Sequence, residues 1–217
     1  MKTRDKILHT SLELFNREGE SHITTVDIAN EMDISPGNLY YHFKGKEVII
    51  DNLYARFDES LSDILHAPLK QELKIDDSWY YLYVVFEEMY HYRFIYQNLA
   101  DLLQRYDTIN KRFRKLMSLK LQTAMSMLVS LRDARIIAID DVTAEVLVNN
   151  IVMTVTYWIT YAQLRDGHQP AEVLIHRGVF QVLSLIAPYL HEGRDEYMAF
   201  CRDYYRQALD NAKTGSK

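Results

Sequence analysis

The side chains whose types and spacing could do chemistry crowd between residues 24 and 46. Thr24, Thr25, Ser35, Asn38, Tyr40, Tyr41, His42 and Lys46 bring hydroxyls, an amide, an imidazole and an ammonium into one short stretch, with Pro36 and Gly37 among them. Such groups hydrogen-bond to phosphate oxygens and to base edges. A glycine beside them lets a backbone approach a ligand closely. The chemistry implied is recognition of an anionic polymer, not bond cleavage.

Those groups need short helices to hold them. Thr24 and Asp27, three apart, form a capping-box-like start, with a hydroxyl for an orphan amide and an acid in the positive first turn. Val26, Ile28, Ala29 and Met32 then make one apolar face, and Asp33-Ile34 interrupts it. Ser35 is a good N-cap, and Pro36 suits the first helical position, where no amide is needed. Leu39 and Phe43, four apart, point into a core, while Tyr40, Tyr41 and His42 point elsewhere. Lys44 and Lys46 follow. The pattern is two short helices and a tight turn, in which the second helix can enter a major groove.

With these residues in place, the segment resembles the helix-turn-helix of the TetR/AcrR family of bacterial transcriptional regulators. The resemblance covers roughly residues 4–50 and is carried by Gly19, Thr25, Ile28, Ala29, Gly37, Leu39, Tyr40, Tyr41, His42, Phe43, Lys46 and Glu47. It implies an all-α chain with a three-helix DNA-binding domain over residues 1–46. A fourth helix would link it to a helical bundle, residues 47–217, that binds an effector and dimerises. It also implies roles. Tyr41 and His42 would contact phosphates or groove atoms, Thr25 and Ser35 would anchor phosphates, and Gly37 would allow close approach. Tyr40 would reach toward base edges, and Lys46 would hold a phosphate. Thr24, Pro36 and Asn38 complete the DNA-binding set. The second helix lacks Arg and Gln, the strongest base readers, so the operator sequence is not legible.

Composition sets outer limits. The chain has 217 residues, a 48% hydrophobic content ample for a packed core, and only 7 Gly and 4 Pro, which favours long helices. A single cysteine, Cys201, excludes an internal disulfide framework and a cysteine-based zinc site, and suggests a reducing compartment. No apolar segment follows the charged start, and no run is read as approaching the roughly 18 apolar residues of a membrane span, so a cytoplasmic location is expected. The net charge is −5, and the first fifty residues hold six basic against eight acidic groups. DNA binding would therefore rest on local positive groups and not on a basic coat.

The remaining helices follow from apolar periodicity. One runs over residues 4–18 and closes at Gly19; another from Gly45 to about His66, ended by Pro68. Further helices are expected over about 109–135, 143–165 (capped by Asp140 or Asp141), 171–190 and 194–211, with a frayed tail after Asn211. Nothing reads as a strand.

Within 76–104, Trp79, Tyr83, Phe86 and Tyr90 form one helical stripe. It reads as core packing or as a ligand wall. On the second reading, Met117, Met125, Asn149, Met153, Tyr157 and Tyr161 join it around a small apolar or aromatic effector, with a fatty-acyl chain as rival. Val173, Phe180, Val182, Leu183 and Ile186 are the expected homodimer contacts, since a palindromic operator mirrors a two-fold dimer. Catalysis has little footing. Glu88 and His91 form a single Glu-x-x-His, His191-Glu192 lacks a second histidine, and no nucleophile elbow or phosphate loop occurs. No metal, cofactor or membrane is expected. The expected function is a repressor released from DNA by its effector; an activator, or a DNA-tethered factor that binds a protein partner, stays open.

Overall fold

The computed structural model describes residues 2–70 and 77–214. Among these, eleven α-helices and two short 3-10 turns account for nearly all the regular structure. No strand is present among the described residues, only an isolated antiparallel bridge between Ile137 and Leu190. The chain divides into two compact units. The first takes residues 1–60 and 92–113; the second takes 61–91 and 114–217.

The first unit opens with α1 (Thr3–Glu18), which buries Ile7, Leu8, Leu12, Leu14 and Phe15. A 3-10 turn at Glu20–His22 leads to α2 (Thr25–Glu31) and α3 (Pro36–His42). Both are capped as their residues dictate. Thr24 and Asp27 form a complete capping box, with Asp27 N donating to Thr24 Oγ1 at 3.2 Å and Thr24 N to Asp27 Oδ2 at 2.8 Å. Ser35 Oγ accepts from Asn38 N at 3.1 Å. The turn between them is set by Asp33, which takes a left-handed φ of 53°. Asp33 N returns to Asn30 O and Ile34 N to Ala29 O, the pair of bonds that satisfies the last carbonyls of α2.

Helix α4 (Lys46–Lys70) contributes to both units. It runs two residues past Pro68 instead of stopping before it. A proline in a last turn removes one hydrogen bond close to where the ladder ends, so the helix tolerates it there. Short helices α6 (Phe94–Gln97) and α7 (Leu99–Arg105), with the start of α8 (Asp107–Asp133), complete the first unit. Their role is apolar closure: Tyr54 and Phe57 of α4 pack against Tyr92, Tyr96 and Phe113 in a chain of ring contacts. The compact unit that carries the helix-turn-helix therefore extends beyond the expected boundary at residue 46.

The second unit is a bundle of the end of α4, α5 (Ser78–His91), the rest of α8, α9 (Asp141–Asp166), α10 (Ala171–Ile186) and α11 (Arg194–Thr214). Asp140 caps α9 by accepting from Thr143 N at 2.9 Å. Helix α10 ends at Ile186, and a 3-10 turn covers Ala187–Tyr189. Helix α11 continues to Thr214; of the tail expected to fray, residues 215–217 lie outside the described residues. One expectation is corrected by composition: α9 and the segment Ala171–Tyr189 are each apolar enough over a long enough window to cross a bilayer. Half of that window in α9 is buried inside the unit, as in the core helix of a bundle.

Helices α5, α9 and α10 meet at Gly178. A Cβ there would lie 2.7 Å from Trp158 Cδ1 and 2.9 Å from Phe86 Cζ. Trp158 is held in place by its indole N–H, which donates to Leu174 O at 2.8 Å. Overpacking at such a contact forces shifts of ring and backbone. Gly178→Ala is expected to cost about 1–3 kcal/mol, read as a lower Tm in circular dichroism; an unchanged Tm would mean that Trp158 can step aside.

Candidate functional site

One face of α3 with its cap is a surface the fold does not use for its core. Ser35, Pro36, Gly37, Asn38, Tyr40 and Tyr41 are all exposed, Tyr41 at 78%. Leu39 and Phe43 on the other side are buried, as their spacing predicts. Lys44 places its ammonium 4.6 Å from the centre of the Tyr40 ring, and Tyr41 meets His42 edge-on at 5.2 Å. A cation, two phenols and an imidazole are thus gathered toward the C-terminal end of the helix. At Gly37 an added Cβ would find only Ser35 Oγ, at 3.9 Å, so nothing within the unit demands glycine there. Thr25 sits half-buried at the start of α2, and the Thr24 hydroxyl donates to Asp27 Oδ2 at 2.6 Å, so its proton is committed to the cap.

Lys46 is placed differently from expectation. Its ammonium donates to Glu20 O at 2.6 Å and lies 2.9 Å from Glu20 Oε1. Glu20 is 4% exposed, and its other oxygen accepts from the Arg105 guanidinium; the Tyr106 hydroxyl lies 3.2 Å from Oε1. The lysine is therefore a structural tie within the first unit. Burial works to raise the Glu20 carboxyl, but hydrogen bonds from Arg105 and Lys46 outweigh it and hold the group below the usual carboxylate range. Neither Glu20 nor Arg105 was singled out from the sequence, because their partners lie 26 and 85 positions away.

In the second unit a cavity of about 100 Å³ opens between α4, α5, α8, α9, α10 and α11. Its wall is mainly apolar, with Leu65, Leu82, Val85, Leu128, Val155 and Leu183 among the lining residues. Lys120 is the one charged side chain among the described residues that line it. It is 4% exposed, and its Nζ reaches Thr156 Oγ1 at 3.5 Å and Met89 Sδ at 4.0 Å. Burial pushes its ammonium down to about 7. The hydroxyl of Tyr81, also on the wall, is buried without a hydrogen-bond partner. Lys120 had a signal in sequence: it interrupts the inward row of Leu116, Ala124, Met127 and Leu131 on α8.

None of the ligand residues expected from sequence lines this cavity. Trp79 and Phe86 are core: the Trp79 indole donates to His176 Nδ1 at 3.2 Å and packs on Tyr204, and Phe86 faces Gly178. Tyr83 stands against His176 and donates to Glu87 at 3.4 Å. Tyr90, Met117 and Met125 are half-buried, Met117 beside Thr156. Asn149, Met153, Tyr157 and Tyr161 are exposed and share the outer face of α9 with Val142, Val146 and Leu164. The apolar side chains of that face are each more than half exposed.

Of the expected dimer residues, Val182 and Leu183 are buried at 1% and line the cavity with Ile186, so they point inward. Val173 and Phe180 are partly exposed, and the Phe180 ring stacks on Tyr205 at 5.6 Å. Cys201 is buried and its thiol is pushed up to about 11, out of nucleophilic range.

This geometry agrees with what the chain resembles. A family model described as bacterial regulatory proteins of the tetR family matches residues 7–53, and one described as bacterial transcriptional repressor matches residues 56–197. The chain belongs to the TetR family of bacterial transcriptional regulators. A solved TetR-family regulator from Marinobacter aquaeolei VT8 is 33% identical, with a TM-score of 0.85 over 94% of this chain and 99% of that one. The HTH-type regulator QacR of Staphylococcus aureus is 49% identical over 47 residues, 22% of this chain and 25% of QacR. IcaR of the same species, a negative regulator of the biofilm operon icaADBC, is 28% identical over 104 residues, 48% of this chain and 49% of IcaR. The matches thus span between a quarter and a half of the length of these curated relatives.

Glu20→Ala is expected to destabilise the first unit by about 2–4 kcal/mol, because it leaves two cations without their buried partner. The carboxyl's depressed value stabilises the fold above the ordinary carboxylate range and loses that effect as pH falls through its folded value. Acid melts should therefore fall more steeply for wild type than for Glu20→Gln below about pH 4.5; parallel curves would assign acid sensitivity elsewhere.

Proposed function

We propose that the protein is a homodimeric repressor that binds a palindromic operator through α3 and releases it when a small molecule fills the cavity of the second unit. The observation that carries this reading is the exposed set Ser35, Asn38, Tyr40 and Tyr41, rich in hydrogen-bonding groups, on a capped helix whose other side, Leu39, with Phe43 just beyond it, supplies the core. Residues 1–46 would read DNA, and residues 47–217 would sense and dimerise. Tyr41, His42, Thr25 and Ser35 would contact the sugar-phosphate backbone, Tyr40 and Asn38 would face the groove, and Gly37 would admit a close approach. Lys44, exposed beside Tyr40, takes the electrostatic role expected of Lys46.

Dimerisation would use the outer face of α9. Val142, Val146, Met153, Tyr157, Tyr161 and Leu164 form a long apolar row on one helix, larger than scattered surface residues account for. A second copy is the occupant consistent with a two-fold operator. Asn149 would lie in the middle of that row, where a buried amide can set register.

Release would be a population shift. Leu65 and Pro68 of α4 line the cavity, Leu65 O accepts from Thr123 Oγ1 at 3.0 Å, and the same helix begins at Lys46 in the Glu20 cluster. A ligand that prefers one setting of α4 would change the spacing of the two α3 helices. A coupling of about 3 kcal/mol lowers operator affinity about a hundredfold.

Two measurements test the proposal. In titrations of the DNA upstream of the protein's own gene at about 150 mM salt with competitor DNA, wild type is expected to bind saturably, and Tyr41→Ala is expected to weaken binding about tenfold with an unchanged Tm. Binding by Tyr41→Ala equal to wild type would remove α3 from the interface. In sedimentation, wild type is expected to run as a dimer and Met153→Glu/Tyr157→Glu as a monomer; a dimeric double variant would move the interface off α9.

A further inference from the structure

One polar group stands apart among the described residues that line the cavity. Lys120 interacts within the protein, with Thr156 and Met89 among its neighbours. The Thr123 hydroxyl donates to Leu65 O at 3.0 Å, and Ser78 and Tyr197 have interactions of their own. Ser130 is partly exposed. The Tyr81 hydroxyl is buried and has no hydrogen-bond partner. A buried hydroxyl left in that state costs stability, and native folds rarely keep one without a use. Burial also holds this phenol protonated well above its usual range, so its hydrogen stays available for donation.

The chemistry of that hydroxyl selects its partner. A phenol donates more readily than it accepts, because the ring draws on the oxygen lone pair. Its complement is an acceptor that brings no donor of its own. An alcohol or amine would carry a further O–H or N–H into the wall, and that donor would need a partner in turn. A charged head would give up its hydration against a mainly apolar surface. The ammonium already present on the wall is engaged from within the protein and calls for no charge from a ligand. A carbonyl oxygen accepts, donates nothing and is neutral.

We propose that the effector is a small neutral carbonyl compound, a ketone or ester, whose oxygen accepts the hydrogen of Tyr81 and whose hydrocarbon body lies against Leu65, Leu82, Val85, Val155 and Leu183. The proposal rests on the reading of this cavity as the effector site. The cavity of about 100 Å³ sets the size. An apolar void of roughly 150 Å³ admits benzene, so a body on the order of five or six non-hydrogen atoms is the scale expected. The gain on binding has two parts: apolar surface leaves water, and a donor that the empty fold leaves unsatisfied acquires its acceptor. The second part separates a carbonyl from a hydrocarbon of the same shape.

The test uses the full-length protein with probes of one shape: cyclopentanone, methylenecyclopentane, cyclopentanol, cyclopentylamine and cyclopentanecarboxylate. Affinity is read by NMR titration, and release by operator-DNA anisotropy. Cyclopentanone is expected to bind about fivefold tighter than methylenecyclopentane, to exceed the alcohol and both ions, and to release DNA. Tyr81→Phe removes only the hydroxyl. It is expected to abolish the ketone's advantage while methylenecyclopentane binds as before, with folding checked by circular dichroism. The comparison of ketone with hydrocarbon on wild type stands without the variant. Equal binding of those two probes, tighter binding of the alcohol or of either ion, or an undiminished ketone advantage in Tyr81→Phe would overturn the carbonyl proposal and leave the effector cavity standing. If none of the five probes binds, the effector-cavity reading falls with it.

Discussion

A single carboxylate organises the DNA-reading half of this molecule. Glu20 lies just beyond the end of α1, Lys46 opens α4, and Arg105 closes α7; their charges meet where Glu20 is 4% exposed. Buried charges are stable only when paired and hydrogen-bonded, so this contact admits little slack. Helix α3 ends close to one member of this cluster. Its start is fixed by the Asp33 turn and the Ser35 cap, and its exit passes within a few residues to Lys46. The exposure of Tyr40 and Tyr41 goes with the Ser35 cap at one end of the helix and the burial of Leu39 and Phe43 on its other side. Apolar packing of Leu39 and Phe43 alone would set which face is buried but less sharply the angle of the helix.

The second unit divides one apolar helix between two tasks. The inner face of α9, with Ile151, Val152 and Val155, lines the cavity; the outer face carries Met153, Tyr157 and Tyr161. This explains why α9 is apolar enough over a long window to pass as a membrane span. Cavity and outer row share the middle of the same helix. Anything that changes the inner packing is transmitted across one helix diameter, roughly 10 Å, to the outer face.

What was legible in the sequence was local. Caps and turns act over three or four residues, so Thr24 with Asp27, Ser35 with Pro36, and Leu39 with Phe43 could be read directly and lie as expected. Longer-range pairing was not. Lys46 looks like a surface cation until Glu20 and Arg105 are brought to it by the fold. The stripe Trp79–Tyr90 has the right helical phase for burial, yet what it meets is His176 and Tyr204, on helices about a hundred residues on; the neighbouring Tyr81, Leu82 and Val85 face the cavity. On α9 the apolar pattern runs nearly all the way round, so periodicity cannot say which face turns inward, and the outer residues Met153 and Tyr157 were expected on the wrong side.

The first unit is built from two separated pieces of chain, residues 1–60 and 92–113. On a ribosome the reading head is therefore unfinished when its helix-turn-helix has emerged: Glu20 must wait for Arg105, and Phe57 for Tyr92 and Tyr96. Part of the second unit, residues 61–91, is synthesised inside that interval. The two halves are interleaved in time as well as in sequence. A chimera joined at residue 46, the natural-looking seam, would graft a motif onto a foreign α7 and leave a buried glutamate facing whatever that helix supplies. Exchange of DNA-binding heads between such proteins must carry the later segment with it or re-create its arginine.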